Sequence, residues 1–171
     1  MIQIKKLETG DIPIIVTAFQ KENWHKSTSL FDAYYQEQQQ SERVIWVAYV
    51  EGQCAGYITL KWSSLYEPFA QRKIPEIMDL NVLPTFRQQG IGSCLLDTAE
   101  KEVITRSPIV GIGVGLYGGS DGGYGAAQRI YVKRSYIPDG LGATYQYERA
   151  TPGKSYPLDD DLILWFTKKL E

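Results

Sequence analysis

One histidine and two cysteines are all the imidazole and thiol ligands that this chain of 171 residues has. His25 has no Cys or His cluster around it, and Cys54 and Cys94 lack C-x-x-C spacing, so no metal site is expected. The cysteines read as reduced residues of an intracellular chain. His25 follows Trp24 where the first helix should end, and it reads as a surface or helix-end residue. Charge of one sign is also scarce. The net charge is −2, with no basic run and no interleaving of basic and aromatic residues, which argues against nucleic acid or an anionic membrane as partner. Nowhere do about 18 apolar residues run together. The opening MIQIKKLETGD lacks the apolar centre of a secretory signal, so a cytoplasmic location is expected. What is present is ordinary for a globular chain: 43% hydrophobic and 22% charged residues. The length suits one domain over 1–171, with no internal repeat or dividing linker.

Hydrophobic periodicity supplies the element order. IQIKKL (2–7) alternates as a half-buried strand does, and Asp11 can N-cap a helix that carries Ile14, Ile15, Ala18 and Phe19 on one face. Thr28 or Ser29 can open a second helix, closed by the polar run 36–42. VIWVAYV (44–50) and CAGYITLKW (54–62) flank EGQ as a hairpin. Residues 63–75 look loop-like, and IMDLNVL (77–83) is a strand stopped by Pro84. From Gly90 to about Arg106, apolar residues recur at helical spacing, and IVGIGV (109–114) is again a strand. A helix over 126–134, a break at Gly140 and Gly142, and strands over 143–148 and 162–167 complete the chain. The order β-α-α-β-β-β-α-β-α-β-β fits a mixed sheet covered by helices better than a doubly wound parallel one.

Two glycine stretches compete for a phosphate. GVGLYG (113–118) has literal G-x-G-x-x-G spacing, but it does not follow the first strand and no helix begins inside it. The candidate acid, Asp139, lies in a loop. A connection between strand and helix is the plainer reading. FRQQGIG (86–92) has a strand running straight into it and an amphipathic helix leaving it. Gly90 and Gly92 clear side chains from the backbone, the free N–H groups of Gln88 to Gly92 would face an anion at the positive helix end, and Arg87 adds a full charge.

At this point a family becomes recognisable. IMDLNVLPTFRQQGIGSCLLDTAEK resembles the acetyl-CoA motif of the GNAT N-acetyltransferase superfamily, in which a strand leads through Q/R-x-x-G-x-G/A into a helix. AAQRIYVKRSY (126–136) resembles the family's second signature, roughly A-x-x-L-Y-x-x-x-G-F. The resemblance implies an α/β fold with a mixed, mostly antiparallel sheet of about seven strands flanked by about four helices. It implies acetyl-CoA as co-substrate, with the backbone of Arg87, Gln88, Gln89, Gly90, Ile91 and Gly92 on its pyrophosphate. Leu80, Asn81 and Val82 would lie along the pantetheine arm, one N–H there binding the thioester oxygen. Tyr131 matches the family tyrosine that can protonate the departing thiolate, with simple packing as the alternative. Two departures stand out. Tyr124 replaces the asparagine often found three residues before Ala127, and Ser135 replaces the glycine after the tyrosine.

An amine must attack neutral, yet its pKa is near about 10.4, so a proton acceptor is needed. Glu76, eleven residues before Arg87, occupies the place where some GNAT enzymes carry their base. Asp79 is the alternative, or a water chain. Strand alternation would put Glu76 and Asp79 on opposite faces. Trp24, Tyr34, Tyr35, Trp46, Trp62 and Tyr66 could wall an acceptor, and Asp32, Glu37 and Glu67 could attract a cationic one. The leading expectation is an acetyl-CoA-dependent N-acetyltransferase acting on a primary amine of a small molecule or peptide by direct transfer. The alternative is a GNAT-fold module that binds coenzyme A or an acyl-CoA without turnover. The oligomeric state is left open, a homodimer included.

Overall fold

The computed structural model describes residues 1–119 and 123–171. Among these the architecture is mixed α/β, with eight strands and five α-helices, and the chain divides into two compact bodies.

The first body comprises Met1–Trp62 and Ile77–Glu102. Its strands are β1 (Ile2–Lys6), β2 (Arg43–Val50), β3 (Gln53–Lys61) and β4 (Glu76–Val82, of which Glu76 belongs to the other body), in that spatial order. β1 and β3 both run antiparallel to β2. α1 (Asp11–Lys21) and α2 (Thr28–Gln39) set Ile12, Ile15, Phe19 and Phe31 against Ile45, Val47, Tyr49 and Tyr57 of one sheet face. Val44, Trp46 and Ala48, on the opposite face of β2, are buried as well. α4 (Ile91–Val103) lies on that side: Lys6 pairs with Trp46 in register, and the Lys6 ammonium reaches Glu102 at 4.0 Å. Burial on both faces explains why β2 reads as a continuous apolar run with no alternation.

The second body comprises Ser63–Glu76 and Val103–Glu171. Its strands, in spatial order, are β5 (Ile109–Gly115), β8 (Leu162–Lys169), β6 (Ile137–Tyr145) and β7 (Glu148–Arg149), each antiparallel to its neighbour. α3 (Glu67–Gln71) and α5 (Gly125–Lys133) complete it. Tyr66, Phe69, Ile74 and Trp165 form a small core in which Tyr66 stacks on Trp165 at 4.1 Å between centroids.

Several expectations are corrected. The segment 63–75 is not all loop. Pro68 sits in the first turn of α3, where its missing N–H costs nothing. Gly140 and Gly142 do not break the chain. They are left-handed residues of an irregularity inside β6, whose register against β8 jumps from Pro138 to Ala143. β6 therefore starts at Ile137 and β7 adds an eighth strand. Asp11 is the first residue of α1 and not its N-cap, and its carboxylate reaches back to accept from the Glu8 N–H at 2.9 Å. Ser27, one residue before Thr28, caps α2 by accepting from the Leu30 N–H.

Candidate active site

At 86–92, where the cradle is expected, the backbone changes direction abruptly after β4. Pro84–Phe86 forms a single 3-10 turn, Arg87 is extended, and Gln88 (φ +60°) and Gly90 (φ +81°) are left-handed. α4 then starts, with the Cys94 N–H bonded to the Gly90 carbonyl. The N–H groups of its first turn have no partner within the helix, by the geometry of any helix start. Arg87, Gln88, Gln89 and Gly90 are exposed, Gly92 is half-buried and Ile91 is buried. A Cβ built on Gly90 meets nothing within 4 Å, so glycine is favoured there by conformation and not by crowding. An exposed loop with two left-handed residues leading into a helix N-terminus fits a phosphate group, whose oxygens accept from backbone N–H groups.

Leu80, Asn81 and Val82 are half-buried residues of β4. Just before them Asp79 adopts φ +52°, a left-handed residue inside the strand. The alternation argument that separated Glu76 from Asp79 does not carry through such a residue. Across the pair, β3 places Gly56, where an added Cβ would lie 2.2 Å from the Asn81 carbonyl oxygen. The Asp79 carboxylate accepts from the Tyr34 hydroxyl at 2.5 Å. Burial, then the charge and hydrogen bond of Asp79, push the Tyr34 phenol well above its usual range. Arg43 lies 4.2 Å over the Tyr34 ring and donates to Glu37 and Thr59. Burial raises the Glu37 pKa, but Arg43 and Lys61 outweigh it and hold the carboxyl below its usual range.

Glu76 and Tyr131 belong to the second body. Glu76, first residue of β4, is 3% exposed and accepts from the Ser64 hydroxyl at 2.5 Å. Ser64 in turn accepts from the Tyr66 N–H at 2.9 Å. Tyr131 is a buried residue of α5 whose ring lies 5.8 Å from that of Tyr136. At the start of α5, Tyr124 takes the place of the family asparagine without capping the helix by its side chain. Its hydroxyl donates to Asp160, and its ring lies where a Cβ on Gly115 would project. Ser135 is left-handed at φ +67°, the conformation a glycine there would take freely.

The competing fingerprint dissolves into packing. Gly113 and Gly115 are strand residues of β5, and a Cβ on Gly113 would meet Ile163 and Trp165 at 2.8 Å. No helix starts within 113–118; residues 120–122 of the loop lie outside the described residues. Of the cysteines, Cys54 is buried, which pushes its thiol up to about 11, and Cys94 sits half-buried on α4. Among the described residues no group of three or more His, Cys, Asp or Glu side chains is placed to hold a metal, and no helix is long and apolar enough to cross a membrane. Sequence reasoning missed Ser64 and Arg43. A lone serine in a loop and a cation opening an apolar strand give no pattern to find.

The comparisons with known proteins agree with this architecture. The family model described as Acetyltransferase (GNAT) family matches residues 13–111, more than half the chain. An uncharacterized N-acetyltransferase of Archaeoglobus fulgidus is 34% identical over 65 residues, which is 37% of this chain and 42% of that protein, so less than half of the relative's length is matched. An N-acetyltransferase structure from Staphylococcus aureus Mu50 superposes with a TM-score of 0.70 at 17% identity, covering 100% of this chain and 99% of that one. The structure of yncA from Salmonella typhimurium, solved with its cofactor acetyl-CoA, superposes with a TM-score of 0.68 at 16% identity, covering 99% and 94%. These structural likenesses speak for the fold; the family match speaks for the lineage. The chain belongs to the acetyltransferase (GNAT) family.

Proposed function

We propose that residues 1–171 act as a single N-acetyltransferase domain that moves an acetyl group from acetyl-CoA to a primary amine of a small molecule or peptide. The observation that carries this is the left-handed turn at Gln88 and Gly90 opening onto the start of α4. Acetyl-CoA supplies the acetyl group activated as a thioester. Backbone N–H groups from Arg87 to Gly92, with the Arg87 guanidinium, hold its pyrophosphate. Leu80, Asn81 and Val82 line the pantetheine arm, and an N–H in this stretch of β4 donates to the thioester oxygen as negative charge grows there. Glu76 takes the proton that the ammonium must lose, directly or through a water. The neutral amine nitrogen bonds the carbonyl carbon, the carbon–sulfur bond breaks, Tyr131 gives its hydroxyl proton to the departing thiolate, and the second proton shed by the new amide nitrogen restores the Tyr131 hydroxyl by way of solvent. Asp79 remains the second reading for the base, favoured by its half-buried position where Glu76 is buried. Two free thiols accord with a reducing, cytoplasmic setting.

The test is thiol release from acetyl-CoA across a panel of primary amines and peptide N-termini. Glu76→Gln should lower turnover of the best amine by about 100-fold or more while sparing acetyl-CoA binding. Loss in Asp79→Asn with retention in Glu76→Gln moves the base to Asp79. Binding of acetyl-CoA with no thiol released for any amine would leave a module that binds without turnover.

A further inference from the structure

We propose that Trp24 is a positioning residue for the phosphate cradle, its indole ring holding the Arg87 guanidinium in place before the anion arrives. Asn23 is left-handed at φ +58°, and the N–H groups of Asn23 and Trp24 donate to the carbonyls of Gln20 and Phe19 at 3.0 and 2.9 Å. This paired closure fixes the residue after the turn against the one five positions earlier. Accordingly the Trp24 ring lies 5.8 Å from that of Phe19, which is fully buried and itself 5.4 Å from the Tyr57 ring. Trp24 is therefore anchored in the core of the first body while staying half-buried itself.

Arg87 stands on an exposed segment, yet its guanidinium carbon lies 5.3 Å from the Trp24 ring centroid and its Nε donates to the Val82 carbonyl at 3.3 Å. Two residues away, the Thr85 hydroxyl donates to the Glu22 carboxylate. Residues 22–24 and 85–87 are thus tied at two points. A long cationic side chain free in solvent must give up its rotamers to bind an anion. One already laid on a fixed aromatic face gives up fewer, and the ring adds a direct attraction for the cation. Trp24 acts through Arg87 and touches no reacting atom.

This inference rests on the assignment of Arg87–Gly92 to the coenzyme's phosphates, and the experiment separates the two. Acetyl-CoA is titrated calorimetrically into wild type, Trp24→Leu, Trp24→Phe, Arg87→Ala and Trp24→Leu/Arg87→Ala, with thermal melts to establish folding. Trp24→Leu should weaken binding about two- to fivefold. Trp24→Phe should restore most of it, and Trp24→Leu should have almost no effect once Arg87 is gone. Unchanged binding in Trp24→Leu, or the same loss with and without Arg87, overturns the proposal and leaves the cradle standing. Unchanged binding in Arg87→Ala, or no binding by the wild type, overturns the role given to Arg87 and this proposal with it.

Discussion

Gly56 and Ser64 show how much rests on single small side chains. A methyl group at Gly56 would press on backbone, the Asn81 carbonyl oxygen, and backbone cannot swing aside as a flexible side chain can. Gly56→Ala should cost about 1–3 kcal/mol through forced separation of β3 and β4. In a chain of this size that lowers the melting temperature by several degrees, readable in a thermal melt. Ser64 carries a different load. Its hydroxyl donates to the Glu76 carboxylate while accepting from the Tyr66 N–H, which leaves that carboxylate little freedom to turn. Ser64→Ala should reduce kcat about tenfold with acetyl-CoA affinity unchanged, and Ser64→Thr should retain most of the rate; hydrogen bonds to charged groups are worth about 1.5–3 kcal/mol.

At the scale of elements, the helix ends carry the lesson. α1, α2, α3 and α5 all close the same way, on a left-handed residue that is not glycine: Asn23, Ser41, Lys73 and Ser135. Each is followed by an N–H bonded five residues back: Trp24 to Phe19, Glu42 to Glu37, Ile74 to Phe69 and Tyr136 to Tyr131. A sequence reading that looks for glycine as the stop finds none of these ends. Ser135→Gly should relieve the left-handed strain after α5 and stabilise the fold by about 0.5–1 kcal/mol, a rise of about one to three degrees in a thermal melt. Where the signal is local and repeated, the elements were legible: the apolar runs of β2 and β3, and the stripe Leu95, Leu96, Ala99, Val103 of α4. In sequence β6 reads short because Pro138, Gly140 and Gly142 argue against a strand, and only pairing with β8 overrides them. The turn at 86–92 into α4 is legible for the same reason as α4 itself, since all its residues are neighbours in the chain. The contacts Ser64–Glu76, Tyr34–Asp79 and Thr85–Glu22 join residues 12, 45 and 63 positions apart, and no spacing rule reaches them.

For the molecule as a whole, buried charge sets the pH range of stability. Asp11 is 3% exposed, and burial alone would raise its pKa. The Tyr49 hydroxyl, the Lys5 ammonium and the Glu8 N–H overcome this and hold it below the usual carboxylate range, as Arg43 and Lys61 do for Glu37. A carboxyl with a lowered folded pKa stabilises above its unfolded value and loses that contribution as pH falls through the folded one. Stability should therefore decline below about pH 4. Asp11→Asn should flatten that decline while lowering stability at neutral pH, as denaturant melts across pH would show. Tyr34, Tyr49 and Tyr66 carry the opposite sign: burial raises each phenol, with Asp79, Asp11 and Asp139 adding to it. Their stabilisation is complete below the unfolded tyrosine value and fades as pH rises beyond about 10.

Whether the turn at 87–92 holds the phosphates of acetyl-CoA is decided by one titration. Acetyl-CoA, and NAD(P)H beside it, are titrated calorimetrically into wild type and Gly90→Glu, with a melt to establish that the variant folds. The substitution puts a side chain and a negative charge where glycine leaves open space. Acetyl-CoA binding by the wild type that is lost in the folded variant, with no dinucleotide bound by either, is the expected result. Acetyl-CoA affinity that survives Gly90→Glu, or NAD(P)H binding that does, would contradict it and send the search back to GVGLYG.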